Sequence, residues 1–279
     1  MHVYRIQRRL KFRMFVILSV ILICAAGEGA VVLADADSAR PICADWAKLS
    51  LGKYEVNNNV WGKEKIRHYS QCIYGTLNSQ TGLPGTIGWS WDWPKVFDGI
   101  KAYPSVLYGR KPWNNYSTTP YLPQMIDKLK HVTVSYKIQT ESNGAENLLL
   151  ESWITRTDKP DSTDRVGELA IHLHQKNPPG QAGEYVETVV IDDIKFDFYY
   201  EKKMRVPGDS HRWAYYGFVH QGKPVLQANV DMMQFVNYLI TKGYLDPKSY
   251  LATVELGNEV DHGRGKTELQ HFSVKVTEL

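Results

Sequence analysis

The chain is poor in cysteine, with three in 279 residues, and its formal net charge is only +3. It has no internal repeat, no low-complexity tract and no long Pro/Ser linker. No glycine-rich phosphate loop, nucleophilic Ser/His/Asp set or cofactor motif stands out, so nucleotide, serine-type and cofactor-borne chemistry lack a sequence basis. Long apolar runs are scarce as well. "MFVILSVILICAA" holds 13 residues, short of the ~20 that a membrane-spanning helix needs.

That run follows the basic segment "MHVYRIQRRLKFR" and precedes small residues, with Ala34-Asp35-Ala36 as one cleavage signal. The order is that of a secretory signal. Residues 1–36 are therefore expected to be a signal peptide and short leader, with an uncleaved anchor as the alternative. Cys24 follows the bulky Ile23, which argues against a lipoprotein. The first 30 residues carry five positive charges and one negative, which leaves the rest of the chain near −1. There is thus no electrostatic case for nucleic acid. Residues 37–279 are enough for one domain with a sizeable core.

Cys43 and Cys72 remain after the leader. In an exported protein an even pair reads as one disulfide, with two free buried thiols as the alternative. A bridge between them would close a loop of about 30 residues and add roughly 3–4 kcal/mol by loop entropy.

Aromatic residues are what the chain has in quantity, 17 Tyr and 8 Trp. They sit in short runs broken by Gly, Pro and Asn. "KYEVNNNVWG", "IGWSWDWP", "HVTVSYKIQ", "NLLLESWIT", "GELAIHLHQ", "EYVETVVID", "IKFDFYYEKK", "RWAYYGFVH", "SYLATVELG" and "HFSVKVTEL" read as strands. One segment differs: Met232, Met233, Val236, Leu239 and Ile240 recur at helical spacing. Asn229 or Asp231 can cap that helix, and Lys242-Gly243 can close it. Many strands and one helix predict an all-β jelly-roll β-sandwich of two antiparallel sheets.

Three strands carry glutamate opposite an apolar face. Glu151 and Trp153 oppose Leu148, Leu150 and Ile154; Glu168 opposes Leu169, Ile171 and Leu173; Glu255 and Glu259 oppose Val254 and Leu256. With Trp61, Trp89, Trp91 and Trp93, whose flat faces suit sugar rings, these carboxylates suggest a concave cleft. Two carboxylates across a glycosidic bond are the usual apparatus for hydrolysing it.

In the order "YEVNNNVWG", "WDWP", "IKAYP", "GELAIHL", "NYLITKGYL" and "VELGNEV", the chain resembles glycoside hydrolase family 12, from about Cys43 to Val276. The family comprises small endo-β-1,4-glucanases and xyloglucanases. The resemblance implies Glu168 as nucleophile, Glu259 as acid/base and Glu151 as an acid supporting the nucleophile. It implies Asn59, Trp61, Trp91, Trp93 and His172 as substrate-binding residues. Cys43 and Cys72 match the disulfide of several members. It implies no cofactor and no metal, a β-glucan as substrate, and a secreted monomer with no nucleic acid or membrane partner after signal cleavage. Departures from the family pattern fall at Ala170 and His172, where the family has Met and Trp, and at Asn258, where it has Thr. Glu151 stands where the family commonly has Asp.

Three other readings compete. His172 and His174 have the i, i+2 spacing of some zinc sites, without a third ligand. A non-catalytic carbohydrate-binding sandwich would use the aromatics alone. A jelly-roll xylanase is the third, against which "NNVWG" and "WDWP" weigh.

Overall fold

The computed structural model describes residues 31–33 and 40–279, apart from 65, 79, 80, 82, 98, 179 and 207. The expected signal segment therefore lies outside the described residues, except for Val31–Leu33. The elements are β1 (Val31–Leu33), β2 (Lys48–Leu51), β3 (Tyr54–Asn57), β4 (Ser70–Leu77), β5 (Pro84–Trp93), β6 (Ser105–Gly109), β7 (Gln124–Met125) and β8 (Leu129–Ser142). There follow β9 (Ala145–Thr155), β10 (Arg165–Lys176), β11 (Glu184–Ile191), β12 (Ile194–Met204), β13 (Trp213–His220), β14 (Gln227–Asp231), α1 (Met232–Thr241), β15 (Tyr250–Leu251) and β16 (Thr253–Glu278).

They form a β-sandwich of the jelly-roll kind. Sheet A runs β1-β2-β3-β6-β16-β9-β10-β13-β12-β11. Sheet B runs β4-β5-β16-β8-β14. The two expected C-terminal strands are halves of one: β16 pairs with β6 and β9 in sheet A, then with β5 and β8 in sheet B. It turns between the sheets at a bulge near Val260 and His262. Gly263 makes the turn possible, with φ +93° and no room for a Cβ beside Gly144.

Pairing is antiparallel except for β1–β2 and β10–β13. The chain doubles back after β10, and the antiparallel set β11-β12-β13 then returns so that β13 lies beside β10 in the same direction.

Leu148, Leu150, Leu169, Ile171, Val254 and Leu256 of sheet A meet Ile87, Trp89, Val134, Tyr136 and Leu269 of sheet B in the core. Helix α1 adds Met232, Met233, Phe235, Val236 and Leu239. Asp231 caps it by accepting from the Met233 N–H, and Gly243 leaves it at φ +76°. Cys43 and Cys72 form a disulfide that ties the segment before β2 to β4. No helix among the described residues is long and apolar enough to cross a membrane.

Candidate active site

Sheet A buries both faces of its central strands; every residue of β9 is buried. The face away from the core therefore packs side chains that a solvent-facing sheet would not hold. On β10, Glu168 stands opposite Trp153 of β9 and Tyr215 of β13. On β9, Glu151 stands between Ala170 of β10 and Glu255 of β16. Glu259 lies opposite Asn147, whose Nδ2 donates to Glu259 Oε2 at 2.7 Å. A cavity of about 520 Å³ opens on this face. Of the expected residues, Asn59, Trp61, Glu151, Glu168 and Glu259 line it.

Its walls are aromatic. Trp46, Trp61 and Trp113 line it while each remains more than 40% exposed, at 42%, 41% and 45%. Indoles left open to water around a cavity floored by carboxyls suit stacking on a flat amphipathic ligand such as a sugar ring.

Its floor is acidic. Burial pushes the Glu151 carboxyl well above the usual range, and the charges of Glu255 and Glu168 push it further, against the Lys111 ammonium. Burial raises Glu168 to about 7; the Glu259 charge adds to this, while the Trp213 N–H and the Arg165 charge oppose it. Burial also raises Glu259, against the Asn147 hydrogen bond. Glu255 is held differently, in a buried ion pair with Lys111 at 2.6 Å. Carboxyls gathered in one low-dielectric site cannot all ionise, so this floor retains protons at neutral pH.

Three expected binding residues are not in the cavity. Trp91 and Trp93 are 2% and 1% exposed and belong to the core, which corrects their assignment to the cleft. The physical reason is that β5 lies in sheet B and turns its indoles towards sheet A. Trp93 stacks on Tyr69 and donates to Gln71, and the Trp91 ring lies over Gly265. His172 is buried as well and does not line the cavity. The segment after β10 folds back over it: Gln181 donates to the Tyr215 hydroxyl, which lies 2.9 Å from His172 Nε2. Burial lowers the His172 imidazole to about 4, so it is neutral near pH 7. His174 lies apart, 3.6 Å from Glu146.

Sequence reasoning missed Trp46, Lys111, Trp113, Arg165 and Trp213, all of which line the cavity. Lys111, Trp113 and Trp46 sit in connecting segments, where no periodicity reports direction. Trp213 opens the strand "WAYYGFVH", which is aromatic on both faces and so conceals which face is functional.

A sequence model described as Glycosyl hydrolase family 12 matches residues 52–277. Endoglucanase S of Pectobacterium parmentieri is 31% identical over 243 residues, covering 86% of this chain and 88% of that protein. A protein described as Inactive glycoside hydrolase XLP1, from Phytophthora nicotianae, is 22% identical over 86% of this chain and 93% of its own length. Among solved structures, a family 12 xyloglucanase from Bacillus licheniformis superposes with TM-score 0.76 at 28% identity, covering 86% of this chain and all of its own. The match spans the core strands and every carboxylate of the cavity floor, and on that extent the chain belongs to glycosyl hydrolase family 12.

Proposed function

We propose that this protein is a secreted, endo-acting hydrolase of β-1,4-glucans that retains configuration at the anomeric carbon. The observation that carries the reading is that Glu168 and Glu259 meet on the floor of one indole-walled cavity. The activities named for an endoglucanase and a xyloglucanase among its relatives support a β-1,4-glucan as substrate. The inactive relative shows that family membership alone does not secure catalysis, so the weight falls on the carboxyls.

Glu168 takes the role of nucleophile. The Trp213 N–H and the Arg165 charge favour its anion. Glu259 takes the role of acid/base, and the burial that raises its carboxyl favours the protonated form from which it starts. Attack by Glu168 on the anomeric carbon breaks the glycosidic bond while Glu259 protonates the departing oxygen. The glycosyl-enzyme is then released by a water that Glu259, now a carboxylate, deprotonates. Asn147 suits both states, because a side-chain amide offers two donors and an acceptor. Its N–H₂ donates to the carboxylate, and turned over, its buried and otherwise unpaired Oδ1 accepts from the acid. Burial pushes the Glu151 carboxyl well above the usual range, which favours its neutral form and so limits the negative charge beside Glu168. Trp61 and Asn59 bind the glucan, and the expected signal segment 1–36 directs export of a monomer.

Reducing-end release from a panel of soluble glucans, with NMR of the earliest cello-oligosaccharide products, tests the proposal. The β-anomer is expected first. Glu168→Ala and Glu259→Ala are each expected to remove most activity, with azide rescuing the first as an α-glycosyl azide. An initial α-anomer, or binding of cellulose without any bond cleavage, would overturn it.

A further inference from the structure

Glu168 keeps only a small part of its surface open, so its second oxygen needs a donor inside the protein. Glu151 does not supply one. It is in register with Ala170 and Glu255, and it makes no hydrogen bond to Glu168 among the described residues. The donor is an indole: Trp213 Nε1 donates to Glu168 Oε2 at 2.7 Å. No other hydrogen bond to the Glu168 carboxyl is present among the described residues.

Trp213 is built to stay where it is. It is 4% exposed, so its N–H has no solvent to turn to. The Arg165 guanidinium lies 4.5 Å from its ring centre, the His211 ring stacks alongside at 16°, and Trp153 meets it edge-on at 5.5 Å. Arg165 is itself fixed, donating to Asp209 Oδ2 at 2.6 Å and to the Ser162 carbonyl at 2.7 Å. His211 Nε2 lies 2.7 Å from the Arg165 carbonyl oxygen. The indole thus sits among Arg165, His211, Trp153 and Glu168, which belong to β9, β10 and the segment before β13.

We infer that Trp213 is the positioning residue of the nucleophile: its N–H holds Oε2 of Glu168 and leaves Oε1 as the oxygen that attacks the sugar. The inference rests on Glu168 being the nucleophile. One fixed oxygen restricts the carboxylate to a single plane, which is what orienting a near-attack geometry requires. The same bond favours the anion over the acid. It does so against the charges of Glu259 and Glu255, and alongside that of Arg165.

The test removes the N–H and keeps the ring. Trp213 is replaced by 3-benzothienylalanine, in which sulfur takes the place of N–H, and separately by Phe (Trp213→Phe). The readout is the rate at which a 2,4-dinitrophenyl 2-deoxy-2-fluoro-β-cellobioside labels Glu168, a rate that reports glycosyl-enzyme formation alone. Labelling is expected to slow by about 10- to 100-fold, the range for loss of one hydrogen bond to a charged group. KM should change little, and the acidic limb of kcat/KM should move to higher pH. If Trp213→Phe does not fold, the isosteric replacement decides. A benzothienylalanine protein that labels Glu168 at the wild-type rate, with the wild-type acidic limb, overturns the inference and leaves the nucleophile in place. Wild-type labelling at a residue other than Glu168 overturns both.

Discussion

Replacing His172 by Gln should make the fold resistant to acid between about pH 4 and pH 6.5. The imidazole is buried and held down to about 4, against an ordinary value of 6.5. Between those limits the unfolded chain binds a proton at this residue and the folded chain does not. Stability therefore rises with pH across the window and is lost as the pH falls through it. The gap of about 2.5 pH units, at about 1.4 kcal/mol each, integrates to about 3 kcal/mol. For a domain of this size that is about 6–12 °C in Tm.

The assay is a series of thermal or urea melts of wild type and His172→Gln from pH 4 to 7.5. Glutamine can still bond the Tyr215 hydroxyl, which now lies 2.9 Å from His172 Nε2. Glu151, Glu168 and Glu259 are raised in the folded state, so they contribute the opposite slope, being more stabilising at low pH. That contribution is common to both proteins and cancels in the difference. The expected result is a stability difference near its limit at pH 7 that shifts by about 3 kcal/mol in favour of the variant by pH 4. Parallel curves across the whole range would refute the reasoning, as would an imidazole proton resonance from His172 titrating near its ordinary value.

Other perturbations have equally definite outcomes. Thiol titration of the denatured, unreduced protein should find Cys43 and Cys72 unreactive, and reducing their bridge should lower stability by roughly 3–4 kcal/mol. Trp61→Ala should weaken glucan use while the melt stays close to wild type, because the indole is 41% exposed; Trp93→Ala, at 1% exposure, should cost about 3–5 kcal/mol of stability. Lys111→Met leaves the buried Glu255 carboxylate without its partner and should destabilise by about 3–5 kcal/mol, most of it recovered in Lys111→Met/Glu255→Gln. Glu151→Gln should slow hydrolysis and move its pH profile, since a titrating neighbour of Glu168 is removed; an unchanged profile would leave Glu151 no part in setting the nucleophile's charge.

Strands were legible wherever alternation was strong, and the helix wherever apolar residues recurred every three to four positions. What alternation could not say was which sheet a strand would join. "HFSVKVTEL" and "VELG" look like separate strands because Gly263 and its neighbours resemble a turn; only the glycine pair at the sheet corner reveals one continuous β16. "SQCIYGTL" and "SVLYG" form β4 and β6 although neither stands out as a strand in the sequence, the first lacking a clean period of two.

The misplaced tryptophans follow from the same gap, and the signal that would have placed them was present. Along β5 the residues between the indoles are Ser90 and Asp92, small, polar and only partly buried, the signature of a face turned to water. A strand with one wet face has to send its indoles inward. Along β9 the residues opposite the core are Asn147, Leu149, Glu151 and Trp153, a set too bulky and too apolar for a wet face. A carboxylate on such a face is buried among neighbours and not solvated, and burial is what raises Glu151. The informative comparison is therefore not glutamate against water, or tryptophan against sugar, taken one residue at a time. It is the make-up of each strand face: small polar residues at i ± 1 leave the Trp91 face as the core side, and bulky apolar ones at i ± 2 turn Glu151 into part of a site.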